Sequence, residues 1–464
     1  MPLILGTNSI KDTGYDVANS CRFNDGDSAY MHKTPGSAGN RRTFTFSCWI
    51  KRGALGHQTF FSAYNADDAT RPDGMRFAAD NRLYVNFRNT EDAIVSTARL
   101  FRDVTAWYHI CVAVDTTQGT AANRVKIYVN GTQETVLTGD GAGDSASYMD
   151  EDFECGGFNR DNKHQIGSRA IDTPTLYFDG YMAEAVFIDG TAYGPTSFGE
   201  FNSDSPTIWQ PIDVSGLTFG TNGFYLDFEA SGNLGNDANG GTDLTEVNLA
   251  AVDQCVDSPT NNFAVYNAAL GLGGTLAEAN CEYQTADSYD NSNTAFSTIG
   301  VQNGKWYAEF LVTATSSGNS VIGAGYDPEA QQDGRSNFCQ EIDEGWGYAE
   351  NGNAYNNGAT DLGTTYTTDD IVGVALDLDG NKIYWYKNNT LINSGGTAID
   401  ADELYFFGVS DTTAGGQTTV QANFGNPPTA LSSAANDENG YGNFEFAPPS
   451  GFLALCTKNL AEEG

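Results

Sequence analysis

The stretch Trp107-Tyr-His-Ile-Cys-Val-Ala-Val-Asp115 runs through a polar Thr/Gly/Ala turn into Arg124-Val-Lys-Ile-Tyr-Val-Asn130-Gly131. The same layout recurs late in the chain. There Ile371-Val-Gly-Val-Ala-Leu-Asp377 passes through Leu378-Asp-Gly-Asn381 into Lys382-Ile-Tyr-Trp-Tyr-Lys387, closed by Asn388-Asn389. Each copy is an apolar strand, a glycine-bearing turn, a strand alternating apolar and polar residues, and an Asn-led closing turn. That pattern spells a β-meander. One meander in each half predicts an all-β chain of two antiparallel β-sandwiches in tandem.

The composition of the 464 residues agrees: 53 Gly with 23 Tyr and 27 Phe suit short strands joined by tight turns. Apolar residues hardly ever recur at helical spacing; only the tail around Cys456-Thr-Lys-Asn-Leu-Ala-Glu-Glu463 predicts a turn or two of helix. The formal net charge is −37, which repels phosphate backbones and argues against nucleic-acid binding. Such acidity suits solubility in a salty medium, or divalent cations held at clustered loop carboxylates. The opening Met1-Pro-Leu-Ile-Leu-Gly-Thr-Asn-Ser9 lacks a basic segment and a long apolar core, so a secretory signal is not expected; nor is membrane insertion, since no run approaches the ~20 apolar residues of a span. The eight cysteines are scattered without a Cys-x-x-Cys pair, so reduced thiols are expected and a zinc site is not.

Strand and turn signals divide the chain into an N-terminal arm (1–17), a first sandwich (18–190), a connector with one firm strand at Gly223-Phe-Tyr-Leu-Asp-Phe228 (191–261), a second sandwich (262–456) and a C-terminal tail (457–464). Within the first sandwich, the Gly/Asp/Ser-rich stretch from Thr138 to Asn162 reads as a long loop.

Several segments carry a family resemblance. Phe44-Thr-Phe-Ser-Cys-Trp-Ile-Lys51, Val125-Lys-Ile-Tyr-Val-Asn-Gly131, His164-Gln-Ile-Gly167 and Phe178-Asp-Gly-Tyr-Met-Ala-Glu184 resemble laminin G-like (concanavalin A-like) domains. Gly304-Lys-Trp-Tyr-Ala-Glu309, Asp370-Ile-Val-Gly-Val-Ala-Leu-Asp377, Phe407-Gly-Val409 and Asn423-Phe-Gly425 resemble a SPRY domain, itself a concanavalin-like sandwich. The whole order, with Asn222-Gly-Phe-Tyr-Leu-Asp-Phe228 and Asp257-Ser-Pro-Thr-Asn-Asn-Phe263, is similar to virion surface proteins of tailed bacteriophages. The resemblance implies a non-enzymatic fibre, spike or decoration protein, assembled in the host cytoplasm and residing on the virion. Its implied partners are other virion proteins and a host-surface glycan or receptor. A homo-oligomer, a trimer by analogy with phage fibres, is the expected assembly.

Glu341-Ile-Asp343-Glu344 approaches the carboxylate pair of a glycoside hydrolase but has Gly345 at the fifth position, so a polysaccharide depolymerase is one alternative rather than the expectation, the other being a purely architectural capsid or tail component. His32, His57, His109 and His164 adjoin no nucleophile elbow, and His109 reads as a strand residue. No catalytic residue is expected. For a ligand, Trp346, Tyr348, Tyr355 and Asn356 pair aromatic rings with amides as sugar recognition requires; the competing reading makes Trp346-Gly-Tyr348 a core strand. For a metal, Asp67, Asp68 and Asp73 crowd one turn as Ca²⁺ oxygen ligands do, against the reading of a merely exposed loop; no cofactor is required. Asp377-Leu-Asp-Gly380 is better explained as a hairpin turn than as a calcium loop.

Overall fold

The computed structural model describes residues 14–88, 92–141, 143–270, 273–286, 293–315, 320–328, 338–339, 344–411 and 416–464. They form two compact units that divide between Thr260 and Asn261. Both are antiparallel β-sandwiches, and both meanders are present: Trp107–Asp115 pairs with Val125–Val129, and Ile371–Asp377 with Lys382–Lys387. Even the closing turns repeat. Asn130 and Asn388 both take positive φ, 46° each, and their side-chain oxygens accept the backbone N–H of His109 and Ile371. Asn tolerates this left-handed region better than other residues with a side chain.

In the first unit one sheet runs through Val125–Val129, Trp107–Asp115, Thr43–Arg52, Gly180–Asp189 and Ser20–Phe23. The facing sheet runs through Asp92–Leu100, Arg82–Arg88, Asp73–Phe77, Gln58–Ala63, His164–Ile166 and Tyr30–Lys33. Between them lies a core rich in phenylalanine: Phe44, Phe46, Phe60, Phe61, Phe77 and Phe87 are all fully buried. Each such ring contributes about 1.5–3 kcal/mol by leaving water. Phe46 and Phe61 stack at 4.3 Å between ring centroids.

Residues 191–260, expected to be a connector, belong to this first unit. Phe224–Leu226 pairs with Gly180–Asp189, Thr245–Val247 with Tyr30–Lys33, and Gln254–Cys255 with Ser20–Phe23. The physical reason is that the first sheet is apolar on its outer side too. Cys111, Val186 and Ile188 point away from the central core and are covered by Phe198, Val214, Phe219 and Tyr225. The stretch from Thr138 to Asn162, expected as a long loop, likewise sends Met149, Cys155 and Phe158 into the core.

In the second unit, Lys305–Ala314 pairs with both Ile371–Asp377 and Thr419–Asn423. The opposing sheet joins Thr294–Phe296, Phe406–Asp411, Ser320–Gly325, Gly345–Ala349 and Asn353–Tyr355. Trp306, Phe310, Trp385 and Phe407 fill the space between, and Leu460 from the helix Thr457–Glu463 joins them. Among the described residues no helix is long and apolar enough to cross a membrane.

Candidate functional site

The outer face of the first unit's second sheet carries the site. The register of Gln58–Ala63 against Asp73–Phe77 slips between Thr59 and Phe61, a β-bulge. It lets Phe60 and Phe61 both face the core while Thr59 and Ser62 face outward. On the neighbouring strands the outward positions are Gly74, Arg76, Tyr84 and Asn86, alternating with buried Met75, Phe77, Leu83, Val85 and Phe87. The result is a pocket of about 110 Å³ lined by His57, Thr59, Ser62, Pro72, Gly74, Arg76, Asn86, Arg169 and Leu176.

The pocket is built rather than incidental. Arg76 donates Nε to Nε2 of His57 at 2.9 Å, bonds Asn86 through Nη1, and lies 4.9 Å above the Tyr84 ring. Because His57 accepts at Nε2, it serves as a neutral imidazole. Burial, then the charges of Arg76 and Arg169, hold its pKa below the usual imidazole value. Asn86 also donates to the Pro72 carbonyl at 2.9 Å, and Ser62 bonds the Ser168 carbonyl at 2.7 Å, so both are fixed in orientation. Arg169 is anchored by one donor, Nη2 to Thr70 O at 2.7 Å, and forms no ion pair among the described residues. Leu176 borders the pocket at φ 52°, a left-handed conformation that a Leu adopts only under constraint.

Against this ordered background some polar groups lack partners. Thr59 lines the pocket and is 2% exposed; its hydroxyl is enclosed and has no hydrogen-bond partner among the described residues. Gln165 is fully buried, and neither atom of its carboxamide is partnered there. It sits on the same face, in register with Ser62 on one side and His32 on the other. Beyond it the His32 and Tyr30 rings lie 6.0 Å apart, with Tyr177 6.3 Å from Tyr30. A buried amide or hydroxyl without a partner costs roughly 1–3 kcal/mol. Donors, acceptors and aromatic rings thus follow one another across the strands.

The residues singled out from sequence lie elsewhere. Trp346 and Tyr348 stand in strand Gly345–Ala349 and are buried. Trp346 packs against Tyr326 and Tyr405, and Tyr348 against Tyr366 and Trp385, so the core-strand reading replaces the sugar-binding one. Tyr355 and Asn356 are half-buried at the next strand; Tyr355 takes hydrogen bonds from Asn351 and Asn353, and Asn356 donates to Gly345 O. The three aspartates do not converge on one point. Asp73 is fully buried and accepts from Gly157 N at 2.8 Å and Phe158 N at 2.9 Å. Asp67 pairs with Arg160, and Asp68 bonds Thr70. Among the described residues no group of three metal-ligating side chains is assembled. Glu341 and Asp343 lie outside the described residues.

A second, smaller cleft of about 60 Å³ lies in the other unit, lined by Glu309, Glu445 and the Pro427-Pro428 segment. Its carboxylates are committed. Glu309, pushed up to about 7 chiefly by burial, accepts from Glu445 N and Phe446 N. Glu445 in turn accepts from Ser432 N at 2.7 Å. They lock a chain segment onto the sheet and do not form an acid–base pair across a cleft.

Comparison with known proteins supports the two-domain reading. Residues 24–192 match the Laminin_G_3 family, described as the concanavalin A-like lectin/glucanases superfamily, and residues 305–426 match the SPRY domain. No curated protein matches the chain. Among solved structures, the chain is similar to the SPRY domain of human HERC1 (17% identity, 34% of this chain and 96% of that one, TM-score 0.28). It is also similar to a putative carbohydrate binding protein from Bacteroides ovatus (17% identity, 50% and 58%, TM-score 0.32). A third is the heptameric SAP-like pentraxin from Limulus polyphemus (15% identity, 39% and 80%, TM-score 0.27). Likeness at this level carries no argument about ligand.

Proposed function

We propose that this chain is a non-enzymatic adhesion protein that binds a surface glycan through the outer sheet face of its first unit, as a fibre, spike or decoration of a phage virion. The observation that carries the binding reading is the pocket on this face, where the Asn86 amide and the Arg76 and Arg169 guanidinium groups are held in fixed orientation beside the half-buried rings of Tyr30 and Tyr177. A sugar presents hydroxyls, both donor and acceptor, at the spacing of neighbouring strands, and a pyranose face packs on rings such as Tyr30 and Tyr177. The virion setting rests on the order of domains and on the sequence resemblance. In that setting homo-oligomers, trimers above all, multiply weak sites into strong attachment.

Two measurements test it. Glycan-array binding by the full chain should be lost in Tyr30→Ala, which removes a half-buried ring from this face; binding that survives sinks the proposed face. Immunogold electron microscopy of purified particles should place the protein on the virion, and bare particles would remove the virion setting while leaving the binding reading intact.

A further inference from the structure

On the reading that this face binds a glycan, we infer that its ligand is an anionic saccharide, with a carboxylate or sulfate group seated at Arg169 and Arg76. The chain carries a net charge of −37 with 23 Lys and Arg in all. Two of its arginines nevertheless line one small pocket whose lining holds no carboxylate. The pocket's histidine is kept below its usual pKa and accepts from Arg76 as a neutral imidazole, so the positive charge there belongs to the two arginines. Asp80, which also acts on His57, is instead engaged by the Tyr84 hydroxyl at 3.1 Å.

A neutral sugar would leave the Arg169 charge without a counter-ion inside a partly desolvated pocket. An acidic one supplies it, through the planar bidentate geometry that guanidinium groups share with carboxylates and sulfates. The half-buried Tyr30 and Tyr177 rings on the same sheet face offer a surface for the sugar ring, which distinguishes a saccharide from a bare anion. In so acidic a protein this local reversal also selects the ligand: long-range repulsion of anions is offset where two guanidinium groups line one pocket.

The test is calorimetric titration of the full chain with three oligosaccharides of equal length: a hexuronate oligomer, a sulfated galactan fragment and a neutral β-glucan fragment. The acidic pair, or one of them, should bind roughly ten- to hundredfold more tightly than the neutral one, and lose that margin in about 0.5 M NaCl. Arg169→Gln should erase the preference. Loss of the margin in NaCl, read on the unaltered chain, keeps the test decisive should Arg169→Gln not fold. Equal binding of neutral and acidic oligomers, insensitive to Arg169→Gln, would overturn the anionic assignment and leave the glycan reading standing. No binding of any of the three oligosaccharides, whether or not inorganic sulfate binds, would overturn both.

Discussion

Trp209 donates its indole N–H to Nδ1 of His109 at 3.1 Å, with the two rings stacked 5.8 Å apart. The other imidazole nitrogen, Nε2, then carries the proton and meets the Ser47 hydroxyl at 2.8 Å. What resembles a Ser–His pair is a buried structural bridge, joining two central strands to the 191–260 segment laid over them. Gly131 makes room for it: a Cβ there would stand 2.3 Å from the Trp209 ring.

Trp209→Ala is therefore expected to destabilise the first unit by about 3–5 kcal/mol, the cost of truncating a buried tryptophan. It should also let water reach His109, whose pKa, held down to about 3 by burial, should climb toward the ordinary imidazole value. Urea unfolding and an NMR titration of His109 check the two effects. A titration left where it was would show that the segment does not shield this ring.

Stability should depend on pH in two opposing ways. Burial pushes His109 and His164 down to about 3 and about 4. Their folded values lie below the unfolded value of about 6.5, so the unfolded chain binds protons first on acidification. Stability tied to these groups is complete above about pH 6.5 and is lost as pH falls toward 4. Glu184 and Glu309 are pushed up, chiefly by burial, to about 8 and about 7. Their folded values lie above the unfolded one, so stability is complete below about pH 4.3 and declines as pH rises through 7 to 8. Urea midpoints should peak between about pH 5 and 6.5, and Glu184→Gln should flatten the alkaline limb. Midpoints that keep rising to pH 8.5 would contradict the assignment.

Much of this architecture was legible in the chain. The meanders announced themselves because their turns need Asn and Gly and their strands alternate. The burial of 191–260 was legible in principle: Trp107–Asp115 and Gly180–Asp189 are apolar nearly throughout, the mark of strands covered on both faces. A one-sided sandwich would have alternated more strictly. The site was not legible, because it depends on a bulge at Phe60 and on Arg169 arriving from a distant loop, neither of which has a local signature. Trp346 and Tyr348 misled for the converse reason: spaced two apart beside glycines they resemble a loop platform, and only the packing partners Tyr405 and Tyr366 reveal a core strand.

Asp257 and Lys51 form an ion pair at 2.7 Å with both side chains almost wholly buried, and the Trp107 indole N–H donates to the second carboxylate oxygen at 2.9 Å. Asp257→Ala leaves a buried ammonium group without its counter-charge and should cost about 3–5 kcal/mol. Replacing both partners by apolar residues, as in Lys51→Met with Asp257→Leu, should recover much of that loss, since the desolvation of two ions is then avoided. Chemical denaturation of the single and double variants decides it. A double variant no better than Asp257→Ala would mean that the indole bond, rather than the ion pair, carries the stability.

Metal removal should have no effect on the first unit. Asp73 spends one carboxylate oxygen on two backbone amides, which ties the 138–162 stretch to the sheet, while Asp67 and Asp68 are engaged by Arg160 and Thr70. EDTA should leave both the melting temperature and glycan binding unchanged. Asp73→Ala should strand two buried N–H groups and lower stability by about 2–5 kcal/mol, whereas Asp67→Ala and Asp68→Ala, at half-exposed or exposed positions, should stay within about 0.5 kcal/mol of the parent. Differential scanning calorimetry with and without EDTA reads all of these together. If EDTA lowered the melting temperature of the parent but not of Asp67→Ala, these aspartates would have to gather around a cation after all, with Asp73 released from its amides.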